Sequence, residues 1–322
     1  MVTEFTKQVG IKYPIICGAM YPCSNQELIA AASKAGGIGI MQPISIIYVF
    51  KKDLRESIRW IRSQTDAPIG FNALVEKSSK IYEDRMKKWI DIALEEGVRF
   101  FITALGNPDW VVEKVHAVGG IVYHDVTERK WAEKALKANV DGFICVNNRA
   151  GGHAGGRSPQ ELYNSLKDLG KPIICAGGVG SGAEVKAMLD IGYQGVQLGT
   201  RFIATQECKV HEDYKKAIVA AKESDIVLTE RITGVPVSVI ATPYLRKIGT
   251  KAGPIAKLLL KGAKTKHWMR MFYTLKSFRS LKISSLKGMG SHKDFWQAGK
   301  SVETINSVET VDAVMQDLTS KI

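Results

Sequence analysis

The feature that most constrains this chain is a repeat: short apolar runs, each followed by an amphipathic stretch, recur at about 25 residues per unit. The runs are Tyr13–Met20, Gly37–Gln42, Pro68–Val75, Val98–Leu105, Gly120–Val126, Phe143–Val146, Lys171–Val179 and Gly195–Phe202. Their isoleucine- and valine-rich character predicts strands buried on both faces. The intervening stretches predict helices, among them 53–63, 82–96, 109–118 and 211–221, with Thr127 opening the one that runs to Ala138. Ser24 with Glu27 has the spacing of a capping box, and Ser158-Pro159 puts proline in a first helical turn. Strand, helix and parallel strand make a crossover unit, and eight such units close as a (β/α)8 TIM barrel of the α/β class. The competing topology is a doubly wound open sheet. Its dinucleotide fingerprint, G-x-G-x-x-G, is absent from the first strand–turn–helix.

Charge divides the chain further. The net charge is +13, yet the 63 residues 231–293 contain 14 Lys or Arg and no Asp or Glu, which leaves the remainder near balance. Three domains are therefore expected: a barrel over 1–230, a basic helical insertion or lid over 231–293, and a C-terminal segment over 294–322 that packs back on the barrel. Within the basic segment Trp268, Met271, Phe272, Leu275 and Phe278 recur at helical spacing, with Lys266, Arg270, Lys276 and Arg279 largely elsewhere around the helix. Such a face suits a lid with a solvated basic side, or contact with an acidic partner or an anionic membrane surface. Nucleic acid is disfavoured, because the apolar stripe is continuous rather than interleaved for base stacking. Five cysteines without metal-ligand spacing, no 18-residue apolar run and no signal-peptide pattern lead to the expectation of a cytoplasmic protein with reduced thiols and no metal.

In a barrel of this kind chemistry gathers at the C-terminal ends of the strands, with a common phosphate site after strands seven and eight. Those two ends read Ala176-Gly177-Gly178-Val179-Gly180-Ser181-Gly182 and Leu198-Gly199-Thr200. The first runs into a helix N-terminus, whose free N–H groups attract an anion. The sixth end is Asn147-Asn148-Arg149 followed by Ala150-Gly151-Gly152-His153-Ala154-Gly155-Gly156. Glycine lets a flat ligand lie against bare backbone, and histidine exchanges protons near neutral pH. A loop of this composition is also compatible with a tight turn and a surface histidine. Asn72 offers an amide suited to a ring edge or to a turn. His124-Asp125 ends the fifth strand, as part of the site or as a strand-end cap.

Read together, Ile11-Lys-Tyr-Pro-Ile-Ile16 through Met20, Ala35-Gly-Gly-Ile-Gly39, Gly70-Phe-Asn72, Ala150-Gly-Gly-His-Ala-Gly155, Ala176-Gly-Gly-Val179 and Gln197-Leu-Gly-Thr-Arg-Phe202 resemble the nitronate monooxygenase family. These were formerly called 2-nitropropane dioxygenases; they are FMN-containing (β/α)8 barrels related to FMN-dependent enoyl-acyl-carrier-protein reductases. The resemblance covers about residues 8 to 240, and Phe295-Trp-Gln-Ala-Gly299 is similar to the family's closing motif. It implies that Ala19, Met20 and Asn72 face the isoalloxazine. It further implies that Gly177, Gly178, Gly180, Ser181, Gly199 and Thr200 cradle the FMN phosphate, that Gln197, Gly151 and Gly152 touch the cofactor, and that His153 is the active-site histidine. Three positions depart from the pattern: Cys17, Ala19 and Arg149, the last where relatives carry an acidic or small residue. That cation would either favour an anionic substrate or point outward.

The implied activity is oxidation of alkyl nitronates, or of nitroalkanes, with O2, His153 serving as base or as holder of the anionic nitronate. The alternative is an NAD(P)H-dependent flavin reductase acting on quinones or an enoyl thioester. A third reading is a flavin-bound protein whose basic segment does the binding and whose barrel turns over little.

Overall fold

A computed structural model describes residues 2–76, 80–232, 234–251, 277–290 and 294–322. Eight parallel strands close into a barrel in sequence order: β1 Ile15–Cys17, β2 Ile38–Met41, β3 Gly70–Leu74, β4 Phe100–Ala104, β5 Ile121–Val126, β6 Gly142–Val146, β7 Ile173–Ala176 and β8 Gly195–Leu198. Closure comes from β1 pairing β8 in the register Ile15↔Val196 and Ile16↔Gln197. The open-sheet alternative is thereby excluded.

Alternation along each strand sorts the side chains into two cores. Ile16, Ile40, Ile102, Tyr123, Ile144 and Ile174 fill the barrel interior, while Phe71, Phe101, Phe143 and Val196 pack outward against the helices. The first helix, Glu4–Val9, plugs the N-terminal end with Phe5, whose ring lies 5.8 Å from Phe100 and 5.6 Å from Tyr123. Burying one such side chain stabilises the fold by roughly 1.5–3 kcal/mol, so the interior is a packed core and not a channel. The outer helices follow the same logic. Helix Leu54–Gln64 starts where the Asp53 carboxylate accepts the Glu56 N–H at 3.0 Å, and it buries Leu54, Ile58 and Ile61 on one stripe.

Three sequence readings are corrected locally; in one of them the helix after β5 starts at Arg129, with Glu128 at its N-cap position and not Thr127. The eighth strand does not reach Phe202: it ends at Leu198, and Thr200–Ile203 form a helical turn, because Gly199 breaks the extended run at the barrel rim. The second helix has Asn25, not Ser24, at its N-cap position. The Ser24 hydroxyl is already used, accepting the Met20 N–H at 2.8 Å.

Beyond the barrel, β9 Ile226–Thr229 and β10 Val237–Ile240 form an antiparallel hairpin, and residue 230 falls in its turn. Single bridges tie β10 to Gly152 on the sixth strand-end loop and to Gln297 of the C-terminal segment. Residues 277–286 are helical. Leu281 packs with Ile232, Val237, Leu245 and Phe295 in a small core over the rim. Of the apolar stripe read in the sequence, Phe278 is described and stands edge-on to Tyr21 at 4.8 Å; Trp268, Met271, Phe272 and Leu275 lie outside the described residues, as do Lys266, Arg270 and Lys276. No helix among the described residues is long and apolar enough to cross a membrane.

Candidate active site

The C-terminal end of the barrel opens into a cavity of about 310 Å3. Ala19 and Met20 enter it after β1, Gly151, Gly152 and His153 after β6, Gly177 and Gly178 after β7, and Gln197, Gly199 and Thr200 at β8. The sequence thus named ten residues that the fold brings to one wall. Three others it places elsewhere. Asn72 sits inside the barrel beside Ile102, its amide directed at the Ile102 carbonyl 3.4 Å away, and is not part of the cavity lining. Gly180 and Ser181 also lie outside that lining.

The turn after β7 depends on glycine. Gly177 and Gly178 have φ of +114° and +78°, a region that side chains strain. A Cβ on Gly177 would stand 2.6 Å from the Ala150 backbone nitrogen, and one on Gly178 would stand 2.6 Å from Arg149 Nε. The sixth and seventh loops therefore lie against each other. Asn147, fully buried, locks them: its amide donates to the Gly177 carbonyl at 2.9 Å and its oxygen accepts the Arg149 N–H at 2.8 Å. Sequence reading had this residue only as part of a polar turn.

Among the described residues, the N–H groups of Gly178, Val179 and Thr200 have no hydrogen-bond partner, and all three residues line the cavity. Gly180 and Ser181 differ. Their N–H groups donate to Glu184 Oε2 at 2.8 and 3.1 Å, and the hydroxyls of Ser181 and Thr304 reach the same oxygen. The helix Gly182–Ile191 begins with a capping box, so the chain's own carboxylate fills the anion position at its N-terminus. The cradle left for an external anion is Gly178, Val179 and Thr200.

Arg149 points away from the cavity. Its guanidinium holds Glu223 in a two-pronged pair at 3.1 and 2.9 Å, and Lys300 joins the same carboxylate at 3.1 Å. Of the two readings of this cation, the outward one is realised.

His153 stands at the mouth with its ring open to the cavity, and no hydrogen bond fixes either nitrogen among the described residues. Surrounding protein still lowers its pKa from the ordinary histidine value, which favours neutral imidazole at pH 7. The loop carrying it is anchored next door: Ser238 donates to the Gly152 carbonyl at 2.7 Å and accepts the Gly152 N–H at 3.2 Å.

Deeper in, two polar atoms are buried without partners: Asp125 Oδ1 and Gln197 Oε1. Both residues line the cavity. A buried polar atom left unpaired costs roughly 1–3 kcal/mol, so this wall is complete only with a polar ligand against it. Together with the free N–H groups, these atoms fit a molecule that carries a phosphate at one end and a heteroatom-rich ring at the other. Sequence reading left Asp125 open between a site residue and a strand-end cap, and its place in the cavity lining favours the first. It missed Tyr214 and Gln297, which line the wall and hydrogen-bond to each other through the Tyr214 hydroxyl and the Gln297 carbonyl. The closing motif was the one pointer to Gln297. Among the described residues, no cluster of three or more His, Cys, Asp or Glu side chains is placed to hold a metal, and all five cysteines are free and buried.

Known proteins match most or all of this chain. The structure of FabK from Thermotoga maritima superposes with a TM-score of 0.80 at 27% identity, covering 100% of this chain and 96% of that one. A 5-hydroxy-7a-methyl-1-oxo-octahydro-1H-indene-4-carboxyl-CoA dehydrogenase of Rhodococcus jostii is 25% identical over 99% of this chain and 96% of its own length. A probable nitronate monooxygenase of Staphylococcus saprophyticus is 28% identical over 76% of this chain and 80% of its own. The family model described as nitronate monooxygenase matches residues 3–321, which takes in the barrel, the hairpin and the C-terminal segment alike, and the chain therefore belongs to the nitronate monooxygenase family of oxidoreductases.

Proposed function

We propose that the cavity holds FMN and that the enzyme oxidises alkyl nitronates, or nitroalkanes after loss of the proton next to the nitro group, with O2 as the final acceptor. The observation that carries this reading is the convergence, in one cavity, of unpartnered N–H groups on β7 and β8 with a free histidine after β6. Gly178, Val179 and Thr200 would receive the phosphate, and Gly199, without a side chain, lets it approach the backbone. Met20 lies against Gly199, where a Cβ would meet its sulfur at 3.4 Å, so with Ala19 it lines the cavity beside that cradle. Gly151 lets the loop carrying His153 pack against the backbone of Ala298 and Gly299, and Gln197 offers its amide. Bound FMN supplies the electron acceptor, which no side chain here can replace.

His153 acts as the base. Its lowered pKa leaves a lone pair available near neutral pH, as removal of a proton from carbon requires. Its neutral imidazole can also donate one N–H to a nitronate that arrives already ionised. Anaerobic mixing of the purified protein with propionate-3-nitronate tests the proposal: the flavin spectrum should bleach and recover on admitting O2.

A second reading has its own support, in the near full-length match to a carboxyl-CoA dehydrogenase and in the likeness to FabK. It is an NAD(P)H-dependent flavin reductase acting on a quinone or an enoyl thioester. Rapid bleaching by NADH, with none by the nitronate, selects it over the first.

A further inference from the structure

Among the described residues, no hydrogen bond or ion pair uses the Asp125 carboxyl. It lies on β5 in register with Ile144, so its side chain points into the barrel, toward the cavity and away from the helices. Its Oδ1 is buried and unpartnered. The groups that face it offer no countercharge. On the cavity side these are Tyr21, Cys23, His153 and Tyr214. The two tyrosine hydroxyls donate to the carbonyls of Phe278 and Gln297, and a hydrogen bond with Cys208, together with burial, raises the Cys23 thiol well above its usual pKa. His153 is shifted toward its neutral form. From β6 the group near it is Cys145, also held as a thiol by burial. His124, next on its own strand, is paired at 2.8 Å with the Thr103 hydroxyl, a residue that faces away from the interior layer. No Lys or Arg among the described residues lines the cavity. Desolvation alone pushes the Asp125 carboxyl up to about 7.

A flat ring laid over this carboxyl removes its remaining water and favours the neutral acid further. A neutral acid has a proton to donate, and the flavin ring is rich in acceptors, with two carbonyl oxygens and unprotonated ring nitrogens against a single N–H. The phosphate would keep to the β7–β8 side, where the free N–H groups are.

We propose that Asp125 is a cofactor-contacting residue whose protonated carboxyl donates a hydrogen bond to a ring acceptor of the bound flavin, so that flavin binding is linked to a proton held at this position. The inference rests on the flavin reading of the cavity given above.

The test is a flavin titration of the full chain, stripped and refilled, followed by fluorescence quenching between about pH 5.5 and pH 8.5. Above about pH 7 the empty protein must take up a proton to bind, so the dissociation constant should rise by up to tenfold per pH unit and be flat below. Riboflavin, which lacks the phosphate, should show the same slope, and His153→Asn should keep it. Asp125→Asn preserves a donor of the same size; it should bind as the parent does at about pH 6 and lose the rise above pH 7. Asp125→Leu should bind more weakly at every pH, with no slope. A flat profile in the parent, or a slope that survives Asp125→Asn, overturns the inference and leaves FMN binding standing. Failure of the parent to bind FMN at any pH overturns the flavin reading and this inference with it. The parent's own profile decides the matter should a variant fail to fold.

Discussion

Two carboxylates near the catalytic end of this barrel, Glu184 and Asp125, have opposite surroundings. One oxygen of Glu184 collects two backbone N–H groups and two hydroxyls. One oxygen of Asp125 is buried with none. Both stand at strand–helix junctions of the kind where anions and ligands gather. The difference separates structure from function: the fold has spent its donors on Glu184, which closes a helix end, and has left Asp125 for something that is not part of the chain. Sequence motifs do not make that distinction, and the glycine cluster before Glu184 reads as the more ligand-like of the two.

The largest expected effect lies on the ligand-facing side. His153→Asn should slow proton removal from a neutral nitroalkane by about 10²–10⁴-fold, the usual share of a positioned base, and should slow oxidation of a preformed nitronate far less. Stopped-flow bleaching of the flavin separates the two substrates; equal rates for variant and parent on the neutral one would remove His153 from the mechanism.

Asp125 should betray itself in stability as well as in binding. Its folded-state pKa, about 7, lies above the ordinary aspartate value, so the folded protein holds a proton that the unfolded chain releases. Stability is therefore lost as pH rises from about 4 to about 7, and the loss is complete above that window. In the flavin-free protein Asp125→Asn should be the more stable by a few kcal/mol at about pH 8, with the gap shrinking as pH falls toward about 4. Denaturant midpoints at several pH values measure it. A variant less stable than the parent at high pH would mean that the carboxylate has a partner after all.

Glu184→Ala should do the reverse. Stranding four donors costs roughly 1–3 kcal/mol, yet FMN affinity should stay within about threefold, because the phosphate uses Gly178, Val179 and Thr200. Should FMN affinity collapse while the thermal midpoint holds, the two carboxylates would have to exchange roles. The smallest effect belongs to Arg149→Gln. The half-exposed pair with Glu223 is worth about 0.2–1 kcal/mol, and preference between anionic and neutral substrates should not change. A shift in that preference would bring the guanidinium back to the cavity.

The sequence by itself determined the barrel, because strand and helix periodicity and the glycines at strand ends are local signals repeated eight times over. It also determined most of one cavity wall: Ala19, Met20, the loop with His153, and the turns at Gly177 and Gly199 are contiguous stretches carried to the same end by the topology. It misjudged strand eight past Gly199 and the cap at Ser24, where a single residue decides and a hydrogen bond from Met20, four residues back, competes for the hydroxyl. What only the tertiary structure decided is which polar groups are already satisfied. Glu184 is saturated partly by Thr304, 120 residues later; Arg149 is turned outward by Glu223, 74 residues away; Tyr214 reaches Gln297 across 83. A carboxyl or guanidinium looks the same in a sequence whether its partner exists or not. The hydrogen bond that settles its role is short-ranged in space and unrestricted in chain separation, so the unpaired Asp125 could be found only once every other partner had been placed.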